Sequence, residues 1–328
     1  MKKFMNSAET MLRESLSGFA KCHRDIVVLD DDFRFVRRKE IKPGKVALVS
    51  GGGSGHEPLH AGFVGYGMLD AACSGQVFTS PTPDQMIAAA EAVDGGAGVL
   101  FIVKNYAGDV MNFALAAEMC ASADTVLIDD DVAVEKSTHS SGRRGVAGTM
   151  IAEKIVGAAA ERGDDVAALK SLGTSVNGRT RSMGVALTSC TVPAVGKPTF
   201  DIADDEMEVG VGIHGEPGRR RVAMRSADAI AEELVQAIVH DLEAPAGSEV
   251  LLLVNGFGGT PALELYLMYE AATRQLEKHR LKATRGIAGN YVTSLEMAGC
   301  SITVTLLDPQ LTSLWDAPVH TAALRWRM

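Results

Sequence analysis

The chain has 328 residues, of which 46% are hydrophobic and 22% are charged. This length exceeds the roughly 250–300 residues at which a single core stops growing, so it predicts two domains. The formal net charge of −9 argues against a general nucleic-acid binder. No apolar run approaches the ~18 residues of a membrane span, and the first residues lack the apolar stretch of a secretory signal, so we expect a cytoplasmic protein.

The spacing of cysteines and histidines predicts neither a disulfide framework nor a metal site. The chain has five cysteines, an odd number without a Cys-x-x-Cys pair, and we expect reduced thiols that lie mostly in the core. Residues 56–60 read His-Glu-Pro-Leu-His, but a His-Glu-x-x-His metal site needs both histidines on one helix, and His56 precedes the helix that is predicted at residues 59–68. No metal is therefore predicted.

The first distinctive stretch follows a predicted helix at residues 8–23 and a polar connection. An apolar run at residues 45–49 predicts a buried parallel strand, and residues 51–58 then read Gly-Gly-Gly-Ser-Gly-His-Glu-Pro before a predicted helix at residues 59–68. A glycine turn between a strand and a helix lies at the ligand-binding edge of an open α/β sheet. The stretch is neither a Walker loop nor a dinucleotide fingerprint, and a plain tight turn is the alternative.

The order of strands and helices that follows predicts a mainly parallel sheet. Helices are predicted at residues 84–93 and 110–122, and strands at residues 98–103 and 125–128. The strand at 98–103 runs directly into a polar stretch that extends from Lys104 to Asp109. Because the loops of such a sheet gather at one edge, we expect His56 and Asp109 to lie there together.

The second half of the chain predicts a mixed sheet with helices. After helices at residues 146–162 and 165–176, we place the domain boundary near Ser182, which gives an N-terminal domain of residues 1–182 and a C-terminal domain of residues 183–328. Further strands are predicted at residues 184–192, 207–213, 249–254, 287–292 and 301–307, and helices at residues 227–241 and 262–280. The expected fold class is α/β, with a mainly parallel first sheet flanked by helices and a mixed sheet in the second domain.

Four long motifs stand in order along the chain. Besides residues 51–58, they are Phe-Thr-Ser-Pro-Thr-Pro at residues 78–83, Lys-Asn-Tyr-Ala-Gly-Asp at residues 104–109 and Gly-Ile-His-Gly-Glu-Pro-Gly at residues 212–218. Together they resemble the dihydroxyacetone kinase family, and the resemblance covers essentially the whole chain. Within that family, the chain is similar to the substrate-binding subunits of the bacterial enzymes that depend on the phosphotransferase system.

The resemblance implies roles for five residues. His214 would add a ring nitrogen to the ketone of dihydroxyacetone and hold it as a covalent hemiaminal, which a neutral imidazole is nucleophilic enough to do. Asp109 would be the general base that takes the proton of the substrate hydroxyl during phosphoryl transfer. His56 would assist hemiaminal formation as an acid–base residue, and Gly53 and Lys104 would contact the substrate.

The residues alone also allow a purely structural interpretation of these positions. A lone histidine after a strand is more often a hydrogen-bonded structural residue, and this is the alternative for His214. Asp109 could instead cap the helix that follows it, and Lys104 could be the solvent-facing end of its strand. The resemblance favours the catalytic roles.

The resemblance further implies partner proteins. Because the chain has no Walker loop, ATP or ADP with Mg would be held by a separate nucleotide-binding kinase subunit of the DhaL type, and this chain would bind no cofactor itself. A DhaM-type phosphotransferase subunit would recharge that nucleotide from phosphoenolpyruvate. The chain is also expected to form a homodimer.

Three alternative functions belong beside this interpretation. The chain could be a non-catalytic ketone-binding coactivator or sensor, although such a protein would not need Asp109. It could also be a kinase subunit for a related small ketose or triose. The third alternative, an α/β oxidoreductase that binds a dinucleotide at the glycine stretch, is disfavoured because the fingerprint is incomplete.

Overall fold

The computed structural model describes residues 2–134 and 142–328, which form two six-stranded sheets and one three-stranded sheet. The first part contains α1 (Met11–Cys22), β1 (Val27–Leu29), β2 (Phe35–Arg38), β3 (Ala47–Ser54), β4 (Gly65–Tyr66), β5 (Ala71–Val77), α2 (Pro83–Val93), β6 (Val99–Lys104), α3 (Ala107–Met119) and β7 (Ala123–Ile128). The second part contains α4 (Gly148–Arg162), α5 (Val166–Gly178), β8 (Thr180–Ala186), β9 (Glu206–Val209), β10 (Arg220–Ala223), α6 (Ala227–Leu242), β11 (Glu249–Gly256), α7 (Ala262–Lys278), β12 (Lys282–Gly289), β13 (Gly299–Leu306), α8 (Pro309–Trp315), β14 (Val319–Thr321) and β15 (Arg325–Trp326). The predicted α/β fold class is confirmed.

The first sheet has the strand order β1-β2-β5-β3-β6-β7. Strands β5, β3, β6 and β7 run parallel, as the order of strands and helices predicted, whereas β1 and β2 add an antiparallel edge. The sequence did not predict β1, β2 or β5. These strands are short or rich in small and polar residues, so they lack a clear apolar run.

The glycine stretch continues a strand and is not the turn that we predicted. Strand β3 extends through three glycines to Ser54, and all of its residues are buried. A Cβ atom at Gly51 would lie 2.6 Å from the carbonyl oxygen of Cys73, and one at Gly53 would lie 2.5 Å from the backbone nitrogen of Thr79. The glycines therefore allow close packing in the middle of the sheet, and the chain turns only after Ser54.

The helix predicted at residues 59–68 is also absent. This segment contains one short 3₁₀ helix, Ala61–Phe63, followed by strand β4, which pairs with β14. Glycine is unfavourable in a helix interior, and Gly62, Gly65 and Gly67 fall within the segment. Gly65 and Gly67 also have positive φ angles of 150° and 79°, which interrupt a right-handed helix.

The second sheet has the order β10-β9-β8-β13-β11-β12. Only the pair of β11 and β12 is parallel, so this sheet is mixed, as predicted. The strand predicted at residues 207–213 ends earlier, at Val209, because Gly210 takes a positive φ of 80°. His214 consequently lies in a loop. Ser182 lies inside β8, and the domain boundary near it stays a prediction.

Helix α4 is buried along almost its whole length, from Gly148 to Ala160. One hydrophobic cluster joins its Ile151 and Ile155 to Leu100 of the first sheet and to Leu253 of the second. Two charged residues of the same helix, Glu153 and Lys154, are fully buried. The helix thus connects the two sheets through a shared core.

The five cysteines are free thiols, and Cys73, Cys190 and Cys300 are buried, as expected for core residues. Cys120 is partly buried and Cys22 is exposed. No helix in the described part of the chain is long and apolar enough to cross a membrane.

The close packing of the glycine strand leads to a stability prediction. We expect Gly51→Ala to lower the free energy of unfolding by about 1–3 kcal/mol or more, because its Cβ would press on the backbone of β5. Urea denaturation followed by circular dichroism measures this change. The matched control is Gly18→Ala in α1, where no atom lies within 4 Å of the added Cβ and alanine should stabilise the helix by up to about 1 kcal/mol. Equal stability of Gly51→Ala and the wild type would contradict this account of the strand.

Candidate active site

The ring of His214 lies among three aromatic side chains from the first part of the chain. Its centroid is 4.8 Å from that of His56, 5.5 Å from Phe78 and 4.2 Å from Tyr106, and each contact is edge-on. His56 in turn stacks on Phe78 at 5.1 Å. Two of the predicted site residues, distant in sequence, therefore meet in one ring cluster.

The loop that carries His214 is held by an ion-pair network. The backbone N–H of His214 donates to Oε2 of Glu216 over 2.9 Å, and Oε1 of the same carboxylate accepts from Arg144 over 2.8 Å. Arg144 also donates to Asp131 over 2.8 Å and to the carbonyl of Gly210 over 2.9 Å. The guanidinium is buried and has good partners on three sides, so it fixes the loop with directional bonds.

His56 is fully buried and presents a free lone pair. Its Nδ1 lies 2.8 Å from the carbonyl oxygen of Thr293, and because a carbonyl only accepts, Nδ1 carries the proton. Its Nε2 is buried and has no hydrogen-bond partner in the described part of the chain. Burial, together with the nearby His214 and Lys104, lowers the pKa of His56 well below its usual value. The ring is thus a neutral imidazole whose Nε2 can accept a hydrogen bond or a proton.

His214 is also kept neutral. Burial lowers the pKa of this imidazole to about 3, and the positive charges of Lys104 and Arg144 act in the same direction. The side chain of His214 is only half-buried, so a small molecule can still reach it. At physiological pH the ring is therefore an accessible, unprotonated imidazole.

Asp109 lies in the first turn of α3, where Tyr106 is the N-cap residue. The N-cap alternative for Asp109 is therefore wrong, although the positive end of the helix dipole still favours its carboxylate. The residue is 4% exposed, and its Oδ2 lies 3.3 Å from Nζ of Lys104. The carboxylate of Asp109 is thus buried and paired with the side chain of Lys104.

Lys104 is completely buried, so the alternative of a solvent-facing strand end is wrong. Besides Asp109, its Nζ donates to the carbonyl of Gly51 over 3.0 Å and contacts Nε2 of His60 at 2.9 Å. Nζ thus has two hydrogen-bond acceptors and one ion-pair partner inside the protein. The predicted contact of Lys104 with substrate stays a prediction.

Gly53, the fifth predicted residue, pairs with Gly75 in the sheet and lies against the backbone of Phe78 and Thr79. This brings the end of β3 next to the ring cluster. Its predicted backbone contact with substrate stays a prediction.

In residues 2–134 and 142–328, no group of three or more His, Cys, Asp or Glu side chains is arranged to hold a metal ion.

Comparison with known proteins gives the family. A family model described as "Dak1 domain" matches residues 17–323. The chain belongs to the Dak1 domain family. This Dak1 chain is 46% identical to the "PEP-dependent dihydroxyacetone kinase, dihydroxyacetone-binding subunit DhaK" of Escherichia coli, over 99% of both chains. The resemblance to the dihydroxyacetone kinase family is thereby confirmed.

Two solved structures share the fold of this Dak1 chain. The dihydroxyacetone kinase of C. freundii superposes with a TM-score of 0.89 and 32% identity, over 99% of this chain and 60% of that one. The "Dihydroxyacetone kinase operon co-activator Dha-DhaQ" superposes with a TM-score of 0.87 and 33% identity, over 94% of this chain and 96% of that one. The fold is thus found both in a kinase and in a co-activator.

Several residues of the site were not predicted. Phe78, Tyr106 and Glu216 lie inside the motifs but received no role, whereas Arg144 lies outside them. Glu153 and His60 were also missed. Glu153 did leave a signal, because a charged pair, Glu153 and Lys154, interrupts the mainly apolar run from residue 150 to residue 160.

The lowered pKa of His214 predicts how stability depends on pH. The unfolded imidazole has a pKa of about 6.5, so below that pH the unfolded chain binds a proton that the folded chain does not. Stability therefore falls between about pH 6.5 and 3, by about 1.4 kcal/mol per pH unit for this one group. Between pH 6 and pH 5, the free energy of unfolding of His214→Gln should therefore fall by about 1 kcal/mol less than that of the wild type. Urea denaturation measures both changes, and an equal fall in the free energy of unfolding for the two proteins would contradict the prediction.

Proposed function

We propose that this chain is the substrate-binding catalytic subunit of a phosphoenolpyruvate-dependent dihydroxyacetone kinase. The observation that carries the proposal is the meeting of a neutral, accessible His214 with a buried His56 whose Nε2 has no partner in the described residues. The near-full-length similarity to the E. coli dihydroxyacetone-binding subunit supports the same conclusion.

The first step is capture of the ketone. The lone pair of a ring nitrogen of His214 attacks the carbonyl carbon, and the carbonyl π electrons move to oxygen, which takes a proton. The other ring nitrogen loses its proton, so the product is a neutral hemiaminal. The Nε2 lone pair of His56 can carry a proton between these positions, which is the acid–base role proposed for it. Glycerol has similar hydroxyl groups but no ketone, so this step selects against it.

The second step is phosphoryl transfer. Asp109 accepts the proton of a substrate hydroxyl as its oxygen attacks the γ-phosphate of ATP, and ADP is the leaving group. The hemiaminal then reverses: its hydroxyl loses a proton, the C–N bond breaks, the ring nitrogen of His214 regains its lone pair and the other ring nitrogen its proton, and dihydroxyacetone phosphate is released. Because phosphoryl transfer depends mainly on alignment and charge, the covalent bond to His214 serves by fixing the attacking oxygen near this base.

The nucleotide belongs to other proteins in this proposal. A DhaL-type subunit would hold ATP or ADP with Mg over the pocket, and a DhaM-type phosphotransferase subunit would regenerate the nucleotide from phosphoenolpyruvate. The described residues include no Walker loop, which agrees with a nucleotide held elsewhere. A homodimer is part of the proposal, and a cytoplasmic location fits a reaction that consumes cytoplasmic phosphate donors.

The second candidate is a ketone-binding co-activator, which is favoured by the likeness to the co-activator structure. Asp109 argues for catalysis, because binding alone does not need a buried base beside an ammonium group. A coupled assay with the cognate subunits and phosphoenolpyruvate decides between the two. It should compare dihydroxyacetone, glyceraldehyde and erythrulose, and binding without turnover of any of them would favour the co-activator.

The two steps should be separable by mutation. We expect Asp109→Asn to capture dihydroxyacetone normally but to lose about 100-fold or more in kcat, since general-base catalysis contributes about 10²–10⁴-fold. His214→Asn should lose the adduct itself. Dihydroxyacetone labelled with ¹³C at C2 reports capture by NMR, because the carbonyl signal is replaced by that of a tetrahedral carbon. Normal turnover by Asp109→Asn would show that another group is the base.

Capture should also persist in mild acid. With a pKa of about 3, His214 stays unprotonated at pH 5, where an ordinary imidazole would be mostly charged. The fraction of labelled dihydroxyacetone bound as adduct should therefore change little between pH 7 and pH 5. Loss of the adduct around pH 6.5, in protein that remains folded, would contradict the proposed state of this histidine.

A further inference from the structure

Two buried residues without an assigned role connect Lys104 to the interior of the protein. Nε2 of His60 lies 2.9 Å from Nζ of Lys104, and Nδ1 of the same ring lies 2.6 Å from Oε1 of Glu153. His60 is 5% exposed, and Glu153 and Lys104 are 0% exposed. With Asp109, these residues form one continuous chain of contacts, Glu153, His60, Lys104 and Asp109, which we call the buried chain.

The direction of the hydrogen bonds in the buried chain follows from its members. An ammonium group can only donate, so Nε2 of His60 must accept from Lys104, and the imidazole proton must be on Nδ1. Nδ1 then donates to Glu153. Burial lowers the pKa of His60 well below its usual value, and Lys104 adds to this effect, which agrees with a neutral ring. Glu153 therefore selects the tautomer that leaves a lone pair facing Lys104.

Core packing alone does not account for Glu153. It lies on α4 among apolar residues, and its second oxygen, Oε2, has no hydrogen-bond partner within residues 2–134 and 142–328. Burial raises the pKa of this carboxyl well above its usual value, which reflects the energy required to hold it there. An apolar residue of similar size would avoid that penalty, so its polar contacts, with Nδ1 of His60 and with the side chain of Ser50, are the property that distinguishes it.

The glycine strand makes room for the same ammonium group. A Cβ atom at Gly52 would overlap Nζ of Lys104, so no other residue type fits there while Lys104 keeps its position. Lysine has a flexible stem and three rotatable donors, and it takes a single position only when its surroundings define one. Gly51, Gly52 and His60 supply those surroundings.

We propose that His60 and Glu153 are positioning residues for phosphoryl transfer. Glu153 fixes the tautomer of His60, His60 fixes the ammonium group of Lys104, and Lys104 holds Oδ2 of Asp109, which leaves Oδ1 to accept the proton of the substrate hydroxyl. The inference rests on the proposed function of Asp109.

Two substitutions at His60 separate this role from a structural one. In His60→Gln, the amide oxygen can take the place of Nε2 and still accept from Lys104. In His60→Asn, the shorter amide occupies the place of Nδ1 and leaves Lys104 without this acceptor. We expect His60→Asn to lower kcat about 10–100-fold, with an unchanged KM and normal capture of labelled dihydroxyacetone, and His60→Gln to recover most of that loss.

Glu153→Gln tests the far end of the buried chain. A glutamine amide can donate to Nδ1 and so permit the opposite tautomer, and we expect kcat to fall while KM and capture stay unchanged. The matched control is Lys154→Met on the same helix, since Lys154 is equally buried but donates to the carbonyl of Leu314 over 2.8 Å, outside the buried chain. It should alter stability without changing kcat more than about twofold, because sites that share no partners act nearly independently.

The assay uses the full chain with its cognate kinase and phosphodonor subunits, and melting temperatures show that each variant is folded. Wild-type kcat in both His60→Asn and Glu153→Gln would overturn the inference. Equal losses in His60→Asn and His60→Gln, accompanied by a raised KM, would also overturn it, because they indicate a merely structural role.

A measurement without turnover keeps this result separate from the proposed function. Nitrogen-15 NMR of the histidines in the isolated chain should show His60 protonated at Nδ1 and unprotonated at Nε2. The opposite tautomer would overturn the inference even in an active enzyme. Failure of the wild type to transfer phosphate, with the expected tautomer present, would refute the proposed function and with it the catalytic role of the buried chain, while its hydrogen-bond order would stand.

Discussion

Lys104 places an ammonium group inside the protein at the end of β6, and most features of the pocket follow from this charge. Removing an ammonium ion from water costs on the order of several kcal/mol, so each of its hydrogens needs an acceptor. The carbonyl of Gly51 and the ring of His60 accept hydrogen bonds from it, and the carboxylate of Asp109 pairs with its charge at 3.3 Å. Each acceptor is constrained in turn, because the strand must lack a side chain at Gly52 and the ring of His60 must hold its proton on Nδ1.

The same charge acts on the two histidines of the ring cluster. It lowers the pKa values of His56 and His214, in addition to the larger effect of burial. A nucleophilic histidine benefits, because protonation would otherwise compete with attack on the ketone. In the proposed mechanism, Lys104 therefore supports both chemical steps, since it keeps His214 free for capture and pairs with the base used in transfer.

The sequence predicted the fold where the apolar pattern was strong and failed where glycine replaced it. Strand β6 and helices α2 and α6 have clear apolar patterns, and each of their predicted ends lies within one residue of the observed end. Residues 51–54 have no side-chain pattern to distinguish a strand from a turn, and only the neighbouring backbone of β5 and the ammonium group of Lys104 explain them. A local sequence pattern cannot predict this strand, because Lys104 and the residues of β5 that pack against residues 51–54 are 22 or more positions away in the chain.

The site divides in a similar way. The motifs identify Gly53, His56, Lys104, Asp109 and His214 because these residues stand in recognisable local strings. Glu153 and Arg144 act through contacts to residues 93 and 72 positions away, and no local string encodes such a contact. Arg144 contacts Glu216, which lies inside a motif, whereas Glu153 contacts His60, which lies two residues beyond the motif at residues 51–58. The motifs thus indicate the groups that are proposed to meet the substrate, whereas contacts made through the core that the two sheets share define the surroundings of these groups.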